Sequence, residues 1–123
     1  MTIKEAIDGI NALKPNDYTN EEKISWLSTI DGLIYRNLVK THENDDGIEF
    51  VPYTSETDLD TELIAYEPYC ELYLLWLESK IDYYNSEQVK YNNAVTRFND
   101  IYTKFGNDYN RNHMPLGSHF KYF

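Results

Sequence analysis

Four stretches of this chain repeat their apolar residues at three- and four-residue steps, and that period restricts what it can fold into more than any other feature. An α-helix turns once in 3.6 residues, so such steps gather on one face, and that face must be covered by another element. The first stretch holds Ile3, Ala6, Ile7, Ile10 and Leu13 and ends before Pro15. Thr2 and Glu5 have the spacing of a capping box at its start. The second holds Ile24, Leu27, Ile30, Ile34 and Leu38, widened by Trp26 and Leu33, with Thr19 and Glu22 as a second capping box. Lys40 and His42 follow, where cations favour a helix C-terminus. The third opens at Glu67 and Pro68 and runs through Tyr69, Leu72, Tyr73, Trp76, Leu77 and Ile81. Leu74 and Leu75 make it apolar on a further side, which predicts a central helix covered by several neighbours. The fourth holds Val89, Tyr91, Ala94, Val95, Phe98, Ile101, Tyr102 and Phe105. Asn85, Ser86 and Glu87 mark a cap or kink before it, and Gly106 is expected to end it in a left-handed C-cap. The spacing predicts an all-α fold, a small bundle of about four main helices, the longest inside 20–41, 68–84 and 87–105.

The helical period is lost over residues 43–65. Residues 43–47 read as a turn cluster, and 48–51 as a short strand closed by Pro52, so this acidic insertion is either an ordered loop with a small hairpin or a mobile arm. Residues 107–123 show no period and read as an extended C-terminal tail. The expected organisation is one helical domain, 1–106, with the insertion at 43–65 and the tail at 107–123. The tail carries Tyr109, Arg111, His113, Met114, Phe120, Tyr122 and Phe123. These side chains either fold back on the domain or dock on a neighbouring subunit, since Tyr and Arg are favoured interface anchors.

Charge removes some functions. The chain has 11 Lys and Arg against 21 Asp and Glu, a net charge of −10. Tight binding to nucleic acid is not expected, because most of this surface repels phosphate. No Lys or Arg stands between Lys40 and Lys80, while Asp45, Asp46, Glu49, Glu56, Asp58, Asp60 and Glu62 all fall there. This acidic run can be a solvated loop, a docking surface for a basic partner, or the wall of a passage along which nucleic acid slides without adhering.

Catalytic signatures are missing: the sequence has no dinucleotide-binding glycine fingerprint, P-loop, paired-histidine zinc helix or nucleophile elbow. His42, His113 and His119 do not share a helix face, and the last two flank Pro115 at no standard metal spacing. Residues 44–47 resemble part of a calcium loop, but His42 and Tyr53 would then fill its first and twelfth positions, where oxygen ligands and a Glu are needed. Glu67, Glu71 and Glu78 share a helix face without His or Lys beside them and read as a solvated stripe. Cys70, the one cysteine, sits in an apolar pattern and reads as buried filler. The expectation is a chain that is not an enzyme and has no metal, cofactor or small-molecule substrate. No apolar run approaches a membrane span, and no signal segment is visible, so a cytoplasmic protein without membrane contact is expected.

Several stretches carry a resemblance. They are residues 67–73 with Trp76, Leu77 and Glu78, then Ile81, Asp82 and Tyr83, Tyr91 to Asn93, Phe98 with Asn99, and above all residues 109–115, from Tyr109 through Arg111 and His113 to Pro115. In these the chain resembles a family of small proteins encoded beside head genes in tailed phages and prophages of Gram-positive bacteria, and residues 3–38 are similar too. The likeness is weak over 43–62, and Leu116 departs from it where a basic residue would follow Met114 and Pro115. Such proteins are regarded as head–tail connectors, similar to helical head-completion proteins that assemble as a ring beneath the portal. The resemblance implies a structural subunit that meets the portal and other head–tail proteins. It implies a homo-oligomeric ring formed on that template, in the host cytoplasm during assembly and then in the virion. The rival from another class is a small acidic phage protein that mimics DNA and inhibits a host protein. It would need carboxylates spaced like phosphates, whereas these acids cluster in one segment.

Overall fold

The computed structural model describes residues 1–41 and 49–113. Of these, 66% are helical. The helices are α1 (Ile3–Leu13), α2 (Asn20–Ile34), α3 (Glu71–Tyr84) and α4 (Gln88–Asn112), and α2 continues into a single π-helical turn, Tyr35–Val39. This is the expected all-α bundle.

Local chemistry explains most boundaries. At α1 the capping box is complete: the Glu5 N–H donates to Thr2 Oγ1 at 3.1 Å, and the Thr2 N–H donates to Glu5 Oε1 at 2.9 Å. At α2 the Glu22 N–H donates to Thr19 Oγ1. Between α3 and α4 the chain turns at Ser86, whose φ of 59° is left-handed. The turn is closed by the Glu87 N–H donating to the Asp82 carbonyl.

Helix α3 is the central element. It packs along α4 and also against α1 and α2. Leu72, Tyr73, Leu77 and Ile81 are fully covered. They meet Ile3, Ile7 and Ile10 of α1, Ile24, Leu27, Ile30 and Ile34 of α2, and Phe98 and Phe105 of α4 in one continuous core. Each such side chain contributes about 1.5–3 kcal/mol on burial. Gly9 lets α1 come close to α3, since a Cβ there would lie 3.0 Å from Leu74 Cδ2.

Four expectations need correction. First, α4 does not stop at Gly106. A Cβ at Gly106 would meet nothing within 4 Å, so the glycine stands in open helix surface with no turn to make. The helix continues to Asn112 because Tyr109 extends the apolar stripe of Tyr102 and Phe105 by one more turn. The boundary at 106/107 is therefore wrong, and residues 107–112 are helix. Second, Tyr109 is not a free interface anchor: it is 6% exposed and belongs to the core. Third, α3 begins at Glu71, and Pro68 lies in the turn before it. Fourth, no strand forms among the described residues, so the hairpin at 48–51 is absent from the part of it that is described. The β-type pairing that does occur is an isolated antiparallel bridge from Thr2 to Glu62.

Candidate interaction surface

Residues 49–65 form an ordered strap across α1 and α2. The Ile3 N–H donates to the Thr61 carbonyl, Lys4 to Leu59, and Leu63 to the Met1 carbonyl, so the strap supplies acceptors for first-turn α1 N–H groups that have no partner within the helix. Its inner side is sewn down by Asp31, a fully buried carboxylate of α2. Tyr73 donates its hydroxyl to Asp31 Oδ1 at 2.5 Å. Tyr53 donates to Oδ2 at 2.6 Å, and the Ile64 N–H donates to the same oxygen at 3.1 Å. The Tyr73 hydroxyl in turn accepts the Ala65 N–H at 2.7 Å. Burial raises the Asp31 carboxyl above its ordinary value, although the three donors oppose the rise. Burial and the neighbouring carboxylate hold the Tyr53 and Tyr73 hydroxyls protonated. Donors that cannot give up their protons, around an acceptor closed off from solvent, make a fastener and not an acid–base pair.

Two further buried charges are equally structural. Lys23, 2% exposed, donates to Asn11 Oδ1 at 2.7 Å and to the Tyr18 carbonyl at 2.9 Å, tying the α1–α2 loop to α2. Burial lowers its pKa. Asp82 of α3 is fully buried against the Lys14 ammonium, which also approaches Glu87 at 3.7 Å. Sequence reading missed all three. A single charged residue in a helix reads as solvent-facing, but Asp31 falls one residue after Ile30 and four after Leu27, inside the arc that faces the core.

Cys70 is 3% exposed, and its thiol donates to Glu67 Oε1. Burial first, then the Glu67 carboxylate, push the thiol up to about 11, well away from a nucleophile's range. Among the described residues, no three His, Cys, Asp or Glu side chains form a group that could hold a metal. No described helix is long and apolar enough to cross a membrane.

The outward side of the strap carries the acids. Glu56, Asp58, Asp60 and Glu62 are exposed. Glu62 pairs with the N-terminal ammonium at 3.2 Å and Glu49 with Lys40 at 3.5 Å. Asp58 accepts the Asp60 N–H, an interaction local to its own turn. Asp45 and Asp46 lie outside the described residues, as do Met114, Phe120, Tyr122 and Phe123. Of the remaining tail candidates, Arg111 is on α4 and pairs with Asp108 at 3.3 Å, and the His113 ring stacks on Tyr109.

A second surface, absent from the sequence reading, is aromatic. Tyr83 and Tyr84 at the end of α3 are 59% and 56% exposed, beside Val89 at 73%. Tyr84 stacks on Trp26 of α2, Tyr18 meets Trp26 edge-on, and Tyr83 leans on Tyr84 and Tyr91. Farther along, Trp76 packs on Phe98 and Phe98 on Tyr102. Spacing alone puts Trp26, Trp76, Tyr91, Phe98 and Tyr102 in helical stripes and is silent on Tyr84. What spacing could not tell is that α2, the loop before it and the α3–α4 turn bring them to one end of the bundle.

Comparison with family models, with curated proteins and with solved structures returns no match for this chain.

Proposed function

We propose that this chain is a non-catalytic structural subunit of a phage head–tail connector. In this reading it assembles as a homo-oligomeric ring on the portal and binds other head–tail proteins there. One observation carries it: the polar groups of the interior serve packing, while tyrosine and tryptophan area that would be costly to leave in water is collected at one exposed end. Such a division suits a rigid part held by its neighbours. The resemblance in residues 67–83 and 109–115 supplies the particular assembly. The exposed carboxylates of the strap suit a surface beside DNA that must not adhere to it, or one that receives a basic neighbour.

Deleting the gene from the genome that encodes the chain tests this. The expected result is DNA-filled heads and free tails that do not join, with the protein found by mass spectrometry in wild-type particles. Normal virions after deletion would remove the connector reading. A growth defect confined to hosts that carry a particular nuclease would favour the DNA-mimic inhibitor instead.

A further inference from the structure

Tyr18, Trp26 and Tyr84 wall a surface cavity of about 230 Å³, and the fourth wall is the Glu22 carboxylate. We propose that this cavity is a binding site for a cationic side chain, specifically the guanidinium of an arginine presented by a partner protein. The inference goes beyond the connector reading and does not depend on it, since a free chain would bind the cation whether or not it builds a ring.

Three aromatic rings beside one acidic residue suit a flat organic cation. The ring quadrupole attracts positive charge to the aromatic face, and the guanidinium plane stacks on indole and phenol where a compact ammonium cannot. The rings stand at mutual distances of 5.5 Å for Tyr18 with Trp26, 5.7 Å for Trp26 with Tyr84 and 6.3 Å for Tyr18 with Tyr84. The rings brace one another, and the Tyr18 hydroxyl is fixed by donating to Asn85 Oδ1 at 2.7 Å. A pre-set site loses less on binding than one that must assemble.

Charge points the same way. Asp17, Glu21 and Glu22 surround the site in sequence, on a chain of net charge −10. Lys23, the cation adjacent in sequence, is buried, bonded to Asn11 and the Tyr18 carbonyl, and does not line the cavity. The chain also shows the pairing within itself one step away. Lys80 lies over the Trp76 ring at 4.6 Å from its centroid, the one cation–π contact among the described residues. Among the described residues no Lys or Arg is placed over the Trp26 ring, which stacks on Tyr84.

Titration of the full chain with N-acetyl-arginine amide, followed by the NMR signal of the Trp26 indole N–H, tests the site. N-acetyl-citrulline amide, the uncharged isostere, is the control. The expected result is a saturable shift with arginine and none with citrulline. Glu22→Gln, an exposed isosteric change, should weaken binding about two- to fivefold. Tyr84→Ala should abolish saturation while leaving the rest of the spectrum in place. If Tyr84→Ala disturbs the fold, Glu22→Gln decides alone. Equal shifts with arginine and citrulline, an unchanged affinity in Glu22→Gln, or no saturable shift at all would each overturn the proposal.

Discussion

The two ends of α3 are built on opposite terms. Near its start, Tyr73 is fully buried and its hydroxyl both accepts and donates, locking the strap to Asp31. At its last residue, about 16 Å farther along the axis, Tyr84 is more than half exposed, and its packing partners are other rings. Tyrosine serves both ends because it has an apolar body and a polar tip. The first end uses both parts inside the fold. The second packs ring on ring and leaves the remaining ring area facing outward. The difference separates a side chain whose every part the fold uses from one whose area stays open to contact.

The comparison breaks first at Asp31. Removing its carboxylate in Asp31→Ala strands two tyrosine hydroxyls and the Ile64 N–H in the interior. The expected loss is about 3–5 kcal/mol in urea unfolding. A loss below about 1 kcal/mol would mean that the node is not what fastens the strap.

Tyr109 comes next. As a core residue, Tyr109→Ala should cost about 2–4 kcal/mol. Truncation after Asn107 should cost at least as much, because it removes the last turn of α4 with it. A loss below about 1 kcal/mol in either variant would mean that Tyr109 does not belong to the core.

A smaller effect is expected at the edge of the node. Tyr53→Phe removes one of three hydrogen bonds to a charged acceptor and should cost about 1.5–3 kcal/mol. The pH profile sharpens the same point. The folded-state value of Asp31 lies above its ordinary 3.8, so between the two the native state holds more protons than the unfolded chain. This contribution to stability is fully present below 3.8 and is lost as pH rises through the folded value. Asp31→Asn, which carries no charge at any pH, should therefore show a flatter profile than the wild type over this range. Parallel profiles would mean that burial does not shift the carboxyl.

Much of the fold was legible in the sequence. Apolar stripes at helical spacing and two hydroxyl caps located all four helices, because both signals are local. The failures share a cause. Gly106 was read as a stop from its intrinsic preference, yet the apolar contact of Tyr109 with Phe105 outweighs a glycine's cost of about 1 kcal/mol in a helix. The burial of Asp31 and Asp82 is not legible because their partners are distant in sequence: 42 residues separate Asp31 from Tyr73, and Asp82 meets Lys14. The cavity of Tyr18, Trp26 and Tyr84 was illegible for the same reason. Acid clustering, by contrast, needs only the sequence, and the exposed strap carboxylates agree with it.

The claim that the buried end makes the fold and the aromatic end makes the assembly is tested most directly by the paired change Tyr83→Ala and Tyr84→Ala. Both side chains are more than half exposed but lose ring contacts with Trp26, Tyr18 and Tyr91, so the stability should fall by about 1–2 kcal/mol in total. For the proposed connector the measurement is the fraction of heads that acquire tails when the variant replaces the wild type in the genome that encodes the chain, alongside the thermal midpoint of the purified protein. A cooperatively folded variant, its midpoint lowered by about 5–10 °C, with joining lost is the predicted result. Normal joining by the well-folded variant would contradict the account and move its working surface elsewhere on the bundle.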